Sequence, residues 1–217
     1  MSKKTIEERI EAGREYRRMA EIRVDAQEGE EQNYVVEGYA TTFNEPYVLW
    51  EDRDGWQMIE SIDAKAFENT DMSDVIMQYD HQGKVYARNK NGTLQLEVDD
   101  HGLKIRADLS GTEAGRQLYE EIKGGYTDKM SFGFTVDGDV YTDDGESVHR
   151  TITSIRKLYD VSAVSIPAND ATEISARSKS EGVIAEAKAE RLEAERRAAE
   201  KERLQLRLRA MRINGGF

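Results

Sequence analysis

The sequence predicts a mixed α+β domain with a long helical arm at its C-terminal end, and three stretches carry that prediction. Residues 93–98 and 103–109 each alternate apolar and polar side chains on either side of Asp99-Asp-His-Gly102, the pattern of a half-buried β-hairpin. Just after them, Ala114, Leu118 and Ile122 recur at four-residue steps, so a helix is set among strands. From 179 to 212 there is neither Pro nor a turn cluster, and Ala, Glu, Arg, Lys and Leu dominate, as in a long solvated helix.

Taken in order, residues 2–20 read as a polar helix with few core positions, frayed or held by a partner. A polar stretch, 25–33, separates it from the strand-like run 34–40, where the compact domain is expected to begin. The expected organisation is thus an N-terminal extension over 1–33, a domain over 34–178 and an arm over 179–217. The acidic segment 41–54 reads as a loop, 56–60 as a strand, and 63–67 as a short helix capped by Asp63. Residues 75–79 suit a buried strand ending at Asp80-His81, with a turn at Gln82-Gly83. Ser110 and Glu113 have capping-box spacing, and the helix they start should stop at Gly124-Gly125. Phe132, Phe134, Val136 and Val140 alternate along the next strand, and Asp143-Asp-Gly-Glu146 forms a turn. Residues 148–166 supply one long or two short strands, and Pro167-Ala-Asn-Asp170 closes the domain.

Charge narrows the partners. The net charge is -12, but it is not evenly spread. Residues 1–24 carry seven basic and five acidic side chains, and 179–217 carry ten and seven, which leaves 14 basic against 31 acidic in between. An acidic body of that kind repels phosphates, so no nucleic-acid binding is expected; a basic partner, or the chain's own basic ends, is the better match. With no Cys there is no disulfide, thiol chemistry or zinc-thiolate site. No run is long and apolar enough for a membrane helix, and the N-terminus lacks the apolar segment of a signal peptide, so a cytoplasmic protein without membrane association is expected. His81, His101 and His149 are scattered without a metal-ligand spacing; no metal and no cofactor are expected.

The chemistry centres on Gly125-Tyr-Thr-Asp-Lys-Met-Ser-Phe-Gly-Phe134. Ser131 opens a strand between bulky apolar residues and a Gly, so its hydroxyl can be held rigid beside a cleft, as a nucleophile requires. An ordinary strand-edge serine would look the same. A general base must come within hydrogen-bond reach of that hydroxyl. His81 ends an apolar strand, His101 lies at a turn beside two Asp, and His149 follows an acidic turn. Among the acids, Asp160 stands inside Leu158-Tyr-Asp-Val-Ser-Ala-Val-Ser-Ile166, where a carboxylate needs a partner, which the spacing does not name.

Four motifs occur together in a telling order: Tyr79-Asp-His81, Gly92-Thr-Leu with Asp100-His-Gly-Leu103, Met130-Ser-Phe-Gly-Phe134, and Leu158-Tyr-Asp-Val-Ser with Pro167-Ala168. Over roughly 34–176 the chain resembles the tailed-bacteriophage prohead maturation proteases, which are similar in fold to the herpesvirus capsid-assembly proteases. The resemblance implies a β-barrel core with surrounding helices, and a serine endopeptidase that cleaves scaffold or capsid-protein segments, and itself, inside the procapsid in the host cytoplasm. It makes Ser131 the nucleophile and His81 the general base, with Asp160 orienting His81. The herpesvirus relatives use a second His as third member, so His149 is the alternative, and Arg88 is a candidate electrostatic helper near the oxyanion. Two positions depart from the family pattern: Lys129 stands where a small residue is expected, and Tyr86-Ala-Arg88 where a Gly-Arg is usual. Implied partners are the major capsid protein or scaffold segments and further copies of the chain. The competing reading is a non-catalytic, protease-like assembly protein that binds capsid subunits. A small-substrate esterase would show Gly-x-Ser-x-Gly at a strand-to-helix turn, which this serine does not.

Overall fold

The structure, a computed structural model, describes residues 6–24, 33–164 and 170–214. The polar stretch from Asp25, and most of the turn at Pro167 expected to close the domain, lie outside them. A short helix α1 (Ile6–Glu11) leads into strands β1 (Glu15–Val24), β2 (Val35–Thr42), β3 (Tyr47–Glu51), β4 (Gln57–Ile62), β5 (Ile76–Tyr79), β6 (Gln82–Arg88), β7 (Leu94–Val98) and β8 (Gly102–Asp108). Helix α2 (Glu113–Lys123), strands β9 (Lys129–Asp143) and β10 (Ser147–Val164), and helix α3 (Asp170–Asn214) follow. The mixed α+β class is as expected.

The strands follow the order β3-β4-β10-β9-β1-β2-β8-β7, with β5 beside β10 and β6 beside β5. The two ends of this path, β3 and β7, do not pair among the described residues, so the closed barrel implied by the resemblance is not found. Bulges bend the sheet instead. β1 pairs with β9 over Glu15–Glu21, through a register shift between Arg18 and Ala20, and with β2 over Ile22–Val24.

The long β9–β10 hairpin is the spine. Ser147–Ile152 of β10 runs parallel to β4, and Asp160–Ala163 runs parallel to β5. The backbone between these two stretches is satisfied by the turn region after β4: Asp63 N–H donates to Ile152 O (3.0 Å), Ile155 N–H to Ala66 O (2.9 Å) and Leu158 N–H to Asp71 O (3.1 Å). Met130, Phe132 and Phe134 of β9 and Val161 and Ala163 of β10 face the main core, where they meet Met77, Ile105 and Leu118. Burial on one face and polar residues on the other is what period-two alternation demands. Helix α2 starts at Thr112, whose hydroxyl accepts from Gly115 N–H, two residues later than the Ser110 cap expected. It ends as expected: Gly125, at φ 73°, lets its own N–H reach Ile122 O and the Tyr126 N–H reach Glu121 O.

Several sequence expectations are corrected. Among the described residues of 2–20, expected as a polar helix, only Ile6–Glu11 is helical, and the rest of that stretch from Glu15 belongs to an inner strand, Glu15–Val24. Helix propensity loses here because Arg17 is buried in an ion network, with Glu15 (2.6 Å) and Glu60 (2.5 Å), and Arg150 joins both carboxylates (2.8 and 2.7 Å). Segment 41–54 contains β3, and 63–67 is a run of turns in which Asp63 Oδ1 accepts from Lys65 N–H. Helix α3 begins earlier than the expected arm. Its Ile184 packs with Met58 and Val148 in a small second core, and Lys188 pairs with Asp52 (2.6 Å) and Asp54 (2.9 Å). From residue 189 to 206 every side chain is exposed.

Candidate active site

The turn between β5 and β6 comprises Asp80 and His81, with Tyr79 paired to Gln82, rather than Gln82-Gly83. Both turn residues have positive φ, 47° and 58°, the signs of a type I′ turn. Asn-Gly or Gly-Gly would adopt that turn easily; a histidine there costs about 1–3 kcal/mol, a cost characteristic of functional sites. The turn swings the imidazole over the face of β9 and β10 that points away from the main core.

On that face the strands are in register. One row across β5, β10 and β9 is Gln78, Ser162 and Ser131; the next, continuing to β1, is Ile76, Asp160, Gly133 and Tyr16. The imidazole lies among them. His81 Nε2 is 2.6 Å from Ser131 Oγ, and its Nδ1 makes a short hydrogen bond with Asp160 Oδ1. Ser162 Oγ–H donates to the same Oδ1 at 2.9 Å. Tyr16 tilts against the imidazole with ring centroids 4.4 Å apart. All three polar residues are enclosed, Ser131 at 5%, His81 at 6% and Asp160 at 1% exposure.

Gly133 makes room for the arrangement. A Cβ there would meet Asp160 Oδ2 at 2.5 Å and Tyr16 Cε1 at 2.8 Å. The Gly two residues past the serine is therefore a spatial requirement on this face.

Electrostatics fixes the direction of the hydrogen bonds. Burial pushes the Asp160 carboxyl up, but the adjacent His81, its hydrogen bond, Ser162 and Arg14 outweigh that and leave it below the usual aspartate value. An ionised Asp160 can only accept, so Nδ1 carries the imidazole proton and Nε2 is left to accept the Ser131 hydroxyl proton. Burial, then the Asp160 charge, raises the Tyr16 phenol.

The structure brings together Ser131, His81 and Asp160, and leaves the other candidates elsewhere. Arg88 is half-exposed and holds Asp74 through two 2.6 Å hydrogen bonds. His149 bonds Asp144 at 2.9 Å at the exposed turn end of the β9–β10 hairpin. His101 sits in the β7–β8 turn with its ring against Tyr39, 4.5 Å between centroids. Lys129 lies 3.8 Å from Asp128. No group of three or more His, Cys, Asp or Glu suited to a metal occurs among the described residues. Ser162, Tyr16 and Arg14 were not singled out from the sequence. Ser162 was within reach of it, because residues two apart on a strand share a face.

A serine hydroxyl on an imidazole whose other nitrogen is held by a buried carboxylate is the arrangement of serine hydrolases. Comparison with known proteins names the family: residues 20–185 match that of the Caudovirus prohead serine protease, and the chain belongs to it. The chain is also similar to the prohead protease of Enterobacteria phage HK97, 28% identical over 156 residues, which is 71% of this chain and 65% of the relative. The match thus spans slightly less than two thirds of the relative's length. No solved structure matches the chain.

Proposed function

We propose that this chain is a serine endopeptidase of prohead maturation, with Ser131 as nucleophile, His81 as general base and Asp160 as the group that orients the imidazole. The observation that carries the reading is the 2.6 Å contact of His81 Nε2 with Ser131 Oγ, together with Asp160 on the opposite ring nitrogen. As Ser131 Oγ attacks a peptide carbonyl, its proton passes to His81 Nε2, and the new imidazolium is stabilised by Asp160. The oxyanion is taken by backbone N–H donors. The imidazolium then gives its proton to the leaving amine, and water, activated by the same nitrogen, releases the acyl group. Nothing in these steps draws on a cofactor.

The substrates are scaffold or capsid-protein segments inside the immature shell, and the chain itself, with the enzyme self-associated in the procapsid in the host cytoplasm. Membership of the family and the similarity to a prohead protease support this reading. Helix α3, exposed from 189 to 206, is the docking or self-cleaved arm. Co-expression with the capsid protein of the same phage tests the proposal. The wild type shortens the capsid subunit on a gel and Ser131→Ala does not; equal subunit lengths in both refute it.

One observation favours a rival. Ser131 is only 5% exposed, as in a protein that acts by binding alone. Reaction with a fluorophosphonate probe separates the two, because a binding-only protein remains unlabelled while the peptidase is labelled at Ser131.

A further inference from the structure

We propose that Arg14 and Tyr16 are positioning residues of the catalytic centre, Arg14 acting through Asp160 and Tyr16 through His81. The inference rests on the peptidase reading above. Both residues precede position 20, where the family match begins.

The Asp160 carboxylate is used unequally. Oδ1 accepts from His81 and Ser162, whereas Oδ2 is buried and has no hydrogen-bond partner. A carboxylate oxygen left so in the interior needs a countercharge to remain ionised. Arg14 supplies one. Its Nη1 lies 3.7 Å from Oδ2, beyond hydrogen-bond range but within ion-pair range. The guanidinium is itself held on the face of Tyr159, 3.6 Å from the ring centroid. Arg14 thus sits clamped between the aspartate and the residue before it, holding Oδ2 so that Oδ1 faces the imidazole.

Tyr16 acts on the other partner. It stands directly opposite Gly133, and its ring forms the wall against which the His81 ring rests. A third contact comes from α1, where Arg9 Nη1 donates to the His81 carbonyl oxygen at 3.0 Å. The strained turn that carries the base is therefore braced by residues 9–16.

The test is the phosphonylation of Ser131 by a fluorophosphonate probe in the full chain, in which Ser131 Oγ bonds to phosphorus as fluoride leaves, with Ser131→Ala as the blank. Arg14→Gln is expected to slow the maximal labelling rate by up to about a hundredfold, the cost of misplacing a catalytic group by about 1 Å, with probe affinity little changed. Arg14→Lys should restore most of the rate, and millimolar guanidinium should accelerate Arg14→Ala but not the wild type. Tyr16→Phe, which keeps the ring, should label normally, and Tyr16→Ala should be slow. If the wild type labels but Arg14→Gln labels equally fast, the proposal is overturned alone. The same holds if neither Lys nor guanidinium restores the rate. If the wild type does not label, the peptidase reading falls and takes this one with it.

Discussion

Gly133→Ala is the sharpest single test of the site, because it adds one methyl group to the face where Ser131, His81 and Asp160 meet. The new Cβ would lie 2.5 Å from Asp160 Oδ2, and ordinary contact begins near 3.4 Å, so the carboxylate must retreat by about 0.9 Å. Asp160 is short, fully enclosed and held through Oδ1 by His81 and Ser162, so moving Oδ2 also moves the atom that orients the imidazole. Tyr16, 2.8 Å away, blocks the other direction of escape. A misplacement of about 1 Å in a catalytic group costs about a hundredfold in rate, or about 2.7 kcal/mol at the transition state. The ceiling is the loss of about ten-thousandfold seen when a triad aspartate is replaced by asparagine. Overpacking should lower stability by about 1–3 kcal/mol. The assay is the probe-labelling rate beside a thermal melt, which separates a folded, slow enzyme from an unfolded one. A Gly133→Ala protein that labels at the wild-type rate would show that the Asp160–His81 bond does not control the chemistry.

Asp160→Asn should keep the fold but lower capsid-subunit cleavage by up to about ten-thousandfold, since asparagine favours the wrong imidazole tautomer; cleavage within tenfold of wild type on a gel time course would contradict that. Acid should destabilise the chain through carboxylates held below their ordinary range. For Glu60 burial pushes the other way but Arg17 and Arg150 prevail, Asp160 behaves likewise beside His81, and Asp144 is lowered to about 2 by backbone N–H donors and His149. A depressed folded value means the stabilisation is complete above the unfolded values of about 4 and is lost as pH falls through the folded ones. Calorimetry should therefore show a melting temperature that is level above about pH 5 and falls below about pH 4; a level curve down to pH 2 counts against the assignment. Arg17→Met should destabilise by about 3–5 kcal/mol, because it leaves Glu15 and Glu60 partly uncompensated in the interior, to be read by urea unfolding. Ile184→Ala should loosen α3 by about 2 kcal/mol and speed its removal by added protease, with Ser131 labelling unchanged.

The parts of the fold readable from the chain were those whose local pattern and tertiary burial agree. The β7–β8 hairpin, the end of α2 at Gly124-Gly125 and the helical arm all follow from alternation, turn chemistry or composition. The α1–β1 region was misread because Glu15, Arg17 and Arg18 look like solvated helix positions. In the structure Glu15 and Arg17 are buried against Arg150 and Glu60, partners more than forty residues away in sequence. The turn at Asp80-His81 was misplaced for a different reason: Gln82-Gly83 carries the stronger local signal, and only the long-range hold on the imidazole makes a strained alternative worthwhile. No local pattern shows that Arg88 pairs with Asp74 or His149 with Asp144.

What the sequence determined by itself was the cast: a serine at the mouth of a strand, a histidine ending another, an isolated aspartate in a third, and the order of motifs that marks the family. Which of these side chains meet was decided only by tertiary structure. Ser131 and Asp160 become neighbours because β9 and β10 pair in a register that sets Gly133 opposite Asp160, and His81 joins them because β5 runs parallel to that stretch of β10. Register and crossover are properties of the whole sheet, set by which apolar faces are buried together, and no local run of residues encodes them.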